Sequence, residues 1–346
     1  MEGNAVFKIG LDLGYGYVKG VNQTGKEVSF PSLVCEGFDR PLSGLFGGSS
    51  DGKDDLNLVV IDGGAREIFV GELARREGRN VSFAFDEDKA AHPATRGLLA
   101  AAGYLLFPEG HVPVHLVTGL PLEQYVHKKD EFKQALDRFS VFVRHKEKRD
   151  VKNINFAKVT VFPQAAGAVY HAVWDDRSRH LVKGGYLGLV DIGFKTTDFI
   201  VFLVEDRLIM REDLSGTINA GISAVQAAVD KMFTAKTGGK LDVPELMRLV
   251  DSGRLTFKGE ELDFSREIEA VKHDFAKNVK DRLKGIWGNK LDFFHSVLFA
   301  GGGATALGRA LAGLHPSATV VRDPQFANAK GFLKVAEIEG RKAAAV

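Results

Sequence analysis

The sequence predicts an α/β protein made of two halves of related design, and three observations carry that expectation. Two stretches share one pattern: apolar strand, aspartate, apolar residue, glycine, turn residues, returning strand. They are KIGLDLGYGYVKGV around Asp12 and YLGLVDIGFKTTDFIVF around Asp191. The aspartates lie 179 positions apart, about half of the 346-residue chain, so the pattern reads as an internal repeat. Strand-like and helix-like segments occur together throughout, and the length suffices for two domains of ordinary size.

Taken in order, residues 6–13 read as a buried strand and 17–21 as its return around Gly14-Tyr15-Gly16. Residues 27–34 add a short strand entering a proline, and the Gly-, Ser- and Asp-rich residues 36–55 read as an exposed loop. A hairpin follows over 57–61 and 67–70 with DGG between, then a polar stretch over 72–91 with a short helix. Residues 92–107 have helical composition, and Gly119 and Pro121 stop a strand over 112–118. Residues 124–139 carry apolar residues at helical spacing, 156–162 is a strand, and 163–174 is a helix with Pro163 in its first turn.

The second half restarts with strands over 185–190 and 198–205 flanking a turn at 191–197. Residues 216–230 turn into a helix, and 243–250 is a short one. The strongest amphipathic pattern covers 264–287, with Phe264, Ile268, Val271, Phe275, Val279, Leu283 and Ile286 on one face and Gly288 as its stop. A strand over 296–300 runs into Gly301-Gly302-Gly303, a helix resumes over 305–314, and a strand at 318–321 precedes a helix at 324–335.

Composition narrows the function classes. The 45% hydrophobic and 26% charged fractions are those of a soluble globular protein. A net charge of +1 gives no reason to expect nucleic acid or an anionic membrane as the main partner. The single Cys35 excludes an intrachain disulfide and a thiolate metal cluster. No run reaches 18 apolar residues and MEGNAVFKIG lacks a signal-peptide pattern, so the expectation is a cytoplasmic chain. The ten histidines lack transition-metal spacing, and the charge runs at Lys128-Lys129 and 144–149 read as solvated surface.

Three loops carry the chemistry. In the first, Asp12 to Gly16, glycines at a strand turn let backbone N–H groups approach a phosphate, and a strand-end aspartate holds Mg2+ directly or through water. The second, Asp191 to Thr196, has the same ingredients; two such hairpins facing each other would grip a polyphosphate with the metal near Asp12 and Asp191. Either alone reads more readily as an ordinary exposed turn; the repetition favours the ligand. The third, FAGGGATALG, presents a helix N-terminus and flat backbone, suited to a nucleotide or to close packing. None is a Walker A loop or a GxGxxG fingerprint. Phosphoanhydride hydrolysis also needs an oriented water, and Gln164, opening a helix after a strand, can orient one without being a strong base, although composition alone favours a surface glutamine there.

In order, these motifs resemble the superfamily of actin, the seventy-kilodalton heat-shock chaperones and the sugar kinases. DLGYGYVK at Asp12 to Lys19 matches its first phosphate loop, FPQAAGA at Phe162 to Ala168 its first connecting segment, DIGFKTTD at Asp191 to Asp198 its second phosphate loop, and FAGGGA at Phe299 to Ala304 its adenosine motif. The second connecting segment falls near Ala327 to Gly331. Chain size and VTGLPLEQY at Val117 to Tyr125 resemble the ParM-type bacterial and archaeal actin-like proteins.

The resemblance implies an actin-like fold: two ribonuclease-H-like domains flanking a nucleotide cleft, with a small inserted subdomain. It implies domain I over 1–184 (insert about 30–92) completed by 325–346, and domain II over 185–324. Mg2+ and ATP are the implied cofactors, with GTP an alternative. The implied catalytic residues are Gln164, which orients water, and Asp12 and Asp191, which hold the metal through water. Nucleotide contacts are expected from Gly14, Tyr15, Gly16, Tyr17 and Lys19, from Gly193, Phe194, Lys195 and Thr196, and from Gly216, Gly301, Gly302, Gly303 and Ala304. One departure stands out: Tyr15 and Tyr17 occupy a loop where many relatives carry Thr, Ser or Asn, which leaves the phosphate contact to backbone.

The function so implied is a nucleotide-dependent filament whose ATP hydrolysis times disassembly, for plasmid or cargo segregation or cytoskeletal organisation. Its partners would be further copies of the chain and a DNA-binding adaptor. A small-molecule kinase of the same superfamily and a non-catalytic nucleotide-regulated scaffold are the alternatives; no carboxylate base for a kinase stands out.

Overall fold

The computed structural model describes residues 6–41, 55–79, 81 and 92–344. The expected loop over 36–55 falls mostly outside them, as does most of the polar stretch after residue 79. The chain divides into two units. Unit 1 comprises Met1–Leu120, Tyr125–Phe162 and Phe332–Val346; unit 2 comprises Pro121–Gln124 and Pro163–Gly331.

The chain starts with β1 (Phe7–Leu13), β2 (Tyr17–Asn22) and β3 (Glu27–Pro31), then β4 (Val34–Glu36), β5 (Leu56–Ile61), β6 (Ala65–Val70) and α1 (Glu72–Glu77). Next come α2 (Pro93–Leu106), β7 (Val114–Leu120), α3 (Leu122–Asp137), β8 (Ser140–His145), β9 (Lys152–Asn155) and β10 (Lys158–Pro163). One sheet of unit 1 runs β10-β7-β1-β2-β3 and the other β4-β6-β5-β8-β9. β1 pairs antiparallel with β2 and parallel with β7. Its FKIGLDL is buried at all but one position, as a strand covered on both faces must be.

Helix α2 begins at Pro93, capped by His92, whose ring accepts from the Ala94 amide at 3.2 Å. Its Leu98, Ala100 and Ala101 are fully buried. It presses so closely on β2 and β9 that a Cβ on Gly20 would lie 2.4 Å from Leu106, and one on Gly103 2.4 Å from Ile154.

Two sequence expectations change in unit 1. The strand expected over 27–34 is two: Pro31 closes β3, and β4 pairs with β6 in the second sheet. Strands β8 and β9 were not expected. β8 alternates buried Val141 and Val143 with exposed Phe142, a period-two signal overshadowed by its charged continuation.

Unit 2 continues with α4 (Gln164–Asp175), α5 (Arg177–His180), β11 (Tyr186–Ile192), β12 (Thr197–Val204), β13 (Leu208–Met210), β14 (Gly216–Ile218), α6 (Ile222–Thr237) and α7 (Val243–Ser252). The hairpin β15 (Arg254–Phe257) and β16 (Glu260–Asp263) leads to α8 (Ser265–Trp287), β17 (Phe294–Ala300), α9 (Gly302–Leu311), β18 (Ala318–Val320) and α10 (Ala327–Ala344). Its sheet runs β13-β12-β11-β17-β18, with β14 added to β12. β11 pairs antiparallel with β12 and parallel with β17, as β1 does with β2 and β7. The sequence repeat is thus a repeat of topology.

The buried face of α8 runs through Ile268, Ala276, Val279, Leu283 and Trp287, whereas Ile286 is 43% exposed. The expected last contact at Ile286 is therefore corrected to Trp287, one residue on. Its indole packs on Phe199 and Phe294, and its N–H donates to the Leu214 carbonyl at 2.9 Å, satisfying the polar tip of a buried ring. Gly288 ends the helix with φ 50°. The unforeseen β15–β16 hairpin turns on Lys258 and Gly259, both with positive φ, and carries Leu255 into a small core with Phe233, Leu249 and Phe264. Helix α9 starts at Gly302, inside the glycine run, rather than at 305. Strand β13 was also unforeseen. No helix among the described residues is long and apolar enough to cross a membrane.

Candidate functional site

In unit 1, Asp12 belongs to β1, opposite Lys19 in the β1–β2 ladder. Only 5% of Asp12 is exposed. The Lys19 ammonium lies 3.6 Å from its carboxylate. Gly14 is needed for close approach, not for its φ: a Cβ there would sit 2.6 Å from the Tyr17 carbonyl and 3.1 Å from the Lys19 nitrogen. Lys19 thus reaches back under the loop. Tyr15 is buried and Tyr17 half-buried.

The sequence reading passed over Ser32. Its hydroxyl donates to the Gly14 carbonyl at 2.6 Å and its amide to the Gly16 carbonyl at 2.9 Å. Two carbonyls of the loop are therefore occupied from behind, in the residue that follows Pro31. Nothing in the local sequence marks a serine 18 positions away as a loop anchor.

In unit 2, Asp191 lies within β11, paired with Asp198, and not in the turn expected at 191–197. It is 6% exposed. The Gly193 amide donates to the Thr196 carbonyl at 2.9 Å, closing the turn. The carbonyls of Gly193 and Phe194 accept from the Ile222 and Ser223 amides that open α6, at 3.1 and 2.8 Å. Gly221 permits that contact, since a Cβ there would meet the Phe194 carbonyl at 2.4 Å. Lys195 and Thr196 are half-buried. Asp198 holds the hairpin: it accepts from Thr196, from Thr217 on β14 and from the Leu122 amide. Gly216 pairs with Phe199, and its missing side chain makes room for that ring.

The third loop rests on the second. Gly301 has φ 85°, and a Cβ there would lie 2.3 Å from Asp191 Oδ1 and 2.4 Å from the Ile192 carbonyl. A Cβ on Gly303 would lie 2.3 Å from Ile192 Cγ2, while Gly302 faces open space. Ala304 is fully buried in the main core of unit 2, so the structure gives it a packing role.

Gln164 is the first residue of α4 and only 7% exposed, so it is not a surface glutamine. One turn on, the Ala168 amide donates to Asn328 Oδ1 at 3.2 Å, and Asn328 Nδ2 donates to Asp191 Oδ2 at 2.7 Å. Asn328, missed in the sequence, joins the helix of Gln164 to Asp191. Further along, a Cβ on Gly331 would lie 1.7 Å from the Gly167 carbonyl, so α4 and α10 cross backbone on backbone.

Asp12 and Asp191 offer oxygen donors suited to a hard cation. No three His, Cys, Asp or Glu residues converge as a metal site among the described residues. Each aspartate, taken by itself, is a lone carboxylate of the kind magnesium takes beside water and phosphate, not part of a protein cage. A separate cavity of about 190 Å3 in unit 2, lined by His171, Asp176, Arg179, His180, Val320 and Arg322, includes none of these loops.

Comparison with known proteins places this geometry. Residues 10–167 match the family of actin-like proteins, N-terminal domain, and residues 189–313 the archaeal actin homologue MreB-like C-terminal family. The subunit of a 15-stranded ParM filament from Clostridium botulinum is 32% identical, with 96% of this chain and 99% of that chain covered and a TM-score of 0.90. The archaeal actin homologue of Thermoplasma volcanium is 26% identical over 341 residues, covering 95% of this chain and 98% of that protein. An archaeal actin homologue solved with ADP shares the fold at 23% identity and a TM-score of 0.78, covering 96% and 100%. The chain belongs to the actin-like proteins of the ParM type.

Proposed function

We propose that this chain is a nucleotide-dependent, filament-forming ATPase. The observation that carries this reading is the matched pair of hairpins. Each unit places a buried aspartate near the end of a central strand, followed by a glycine turn, in the same sheet topology. On this reading each hairpin presents backbone N–H groups to phosphate, with Lys19 as the charged side chain of the first loop. Asp12 and Asp191 hold Mg2+, which neutralises phosphate charge when bound. Gly302 offers open backbone to the adenosine, and Gly301 seats that loop on Asp191 and Ile192.

Gln164 orients the attacking water. Its burial supports a fixed side chain, and an amide orients water by hydrogen bonds without taking its proton outright. ATP is the proposed nucleotide and GTP the alternative. The ADP-bound archaeal homologue supports nucleotide binding, and the Clostridium botulinum filament supports self-association. Segregation of a DNA cargo through an adaptor in the cytoplasm follows from the ParM likeness.

The test is phosphate release by wild type and Gln164→Ala, with nucleotide binding measured in parallel. Wild type is expected to release phosphate only with Mg2+, and Gln164→Ala to bind nucleotide while losing release. A wild type without Mg-dependent turnover overturns the ATPase assignment.

A further inference from the structure

Asn328 is 5% exposed and is the second residue of α10. Its two amide atoms are used with opposite polarity. A backbone N–H can only donate, so the atom facing Ala168 is the carbonyl oxygen; a carboxylate accepts, so the atom facing Asp191 is the nitrogen. Only one orientation of the amide satisfies both partners. Asp191 Oδ2 is thereby held at 2.7 Å, while Oδ1 lies where only a glycine at 301 leaves room for it. Both oxygens of this carboxylate are placed by neighbours on other elements.

The height of Asn328 is fixed as well. Gly331, nearly one turn further along α10, lies against the backbone of Gly167 in α4. A side chain at 331 would force α10 away from α4, so the approach that brings Asn328 to Ala168 depends on this glycine.

We propose that Asn328 is the positioning residue of the metal-side carboxylate. It locks the Asp191 rotamer and ties it to α4, the helix that opens with Gln164. It acts through Asp191 and touches no nucleotide itself. This role rests on the Mg-nucleotide reading above. It extends that reading to one residue of the second connecting segment, to which the sequence assigned no role.

The test uses the full chain with three variants. Asn328→Asp keeps the shape and the acceptor toward Ala168 but sets a carboxylate against Asp191. Asp191→Asn with Asn328→Asp exchanges donor and acceptor, so the hydrogen bond can re-form with reversed polarity. Asn328→Leu removes both bonds and guards against an effect peculiar to the added charge. The first readout is thermal stability without nucleotide or metal. The exchange variant is expected to recover most of the stability that Asn328→Asp loses, a coupling that separate sites do not show. The second is calorimetric titration with ATP, in Mg2+ and in EDTA. Asn328→Asp and Asn328→Leu should each need at least about tenfold more Mg2+ for half-saturation, as loss of a group orienting a metal ligand typically costs. Metal-free ATP affinity should stay within about threefold of wild type, and the exchange should not restore Mg2+ dependence.

An exchange variant no more stable than Asn328→Asp overturns the hydrogen bond as drawn. Wild-type Mg2+ dependence in Asn328→Leu, or an equal fall of metal-free and metal-bound affinity, overturns the positioning role. A wild type that binds no Mg-ATP overturns the proposed function and this role with it, while the exchange still decides the bond.

Discussion

Replacing each of the three consecutive glycines at 301–303 by alanine should give three different results. Gly301→Ala combines two penalties. The residue sits at φ 85°, ψ 167°, a region held almost only by glycine, where a side chain costs about 1–3 kcal/mol. Its Cβ would also lie 2.3 Å from Asp191 Oδ1 and 2.4 Å from the Ile192 carbonyl, an overpacking worth about 1–3 kcal/mol. The sum is about 3 kcal/mol, a large share of the roughly 5–15 kcal/mol that holds a domain together. At roughly 2–4 °C per kcal/mol, unit 2 should melt about 6–12 °C lower. Gly302→Ala meets open space at the first residue of α9 and should stay within about 0.5 kcal/mol of wild type. Gly303→Ala, directed at the movable Ile192 side chain but also 2.9 Å from its carbonyl, should fall between. Urea and thermal unfolding of the nucleotide-free chain, followed by far-UV circular dichroism, measure all three. Equal destabilisation by Gly301→Ala and Gly302→Ala would refute the reasoning, as would a wild-type melt for Gly301→Ala. Gly302→Ala should nonetheless weaken ATP binding if this open backbone seats the nucleotide.

Gly331→Ala should be more severe, costing more than about 3 kcal/mol, because its Cβ would lie 1.7 Å from a backbone oxygen that no rotamer can move; expression and melting temperature report it. Ser32→Ala should cost about 1 kcal/mol and, by freeing the Gly14 carbonyl, raise amide exchange at residues 14–16, followed by mass spectrometry. His115 supplies a pH signature. Burial, with the charge of Lys158, holds its pKa down to about 4, whereas the unfolded chain titrates near 6.5. The unfolded state therefore binds the extra proton first as pH falls. This contribution is complete above about pH 6.5 and is lost between there and about pH 4, by at most about 3 kcal/mol. Urea midpoints for wild type and His115→Gln across that window should converge as pH drops.

Much of the fold was legible because its signals are local. The apolar run of β1, the proline entering α4 and the three-and-four spacing in α8 each arise from neighbours in sequence. The repeat around Asp12 and Asp191 was legible for the same reason, and it led to the two hairpins that the structure shows in matching topology. What escaped depends on distant partners. Ser32 anchors a loop 18 residues away, Asn328 reaches Asp191 from 137 residues away, and Gly221 matters only because α6 docks on the second loop. Ile286 and Trp287 both continue the three-and-four spacing from Leu283; periodicity alone does not choose between them, and in the structure the indole N–H reaches the Leu214 carbonyl. Strands β8 and β9 were hidden by charged residues, although alternation was present in SVFVRH. Gly216, expected as a ligand contact, also has a packing role that only its partner reveals, room for Phe199.

The central claim is nucleotide-dependent assembly, and light scattering of the purified chain tests it most directly. Samples with Mg-ATP, Mg-GTP or no nucleotide are followed together with phosphate release. Scatter should rise on adding ATP or GTP and decline as phosphate accumulates, while the nucleotide-free sample stays flat. A flat signal in all three conditions would contradict the account.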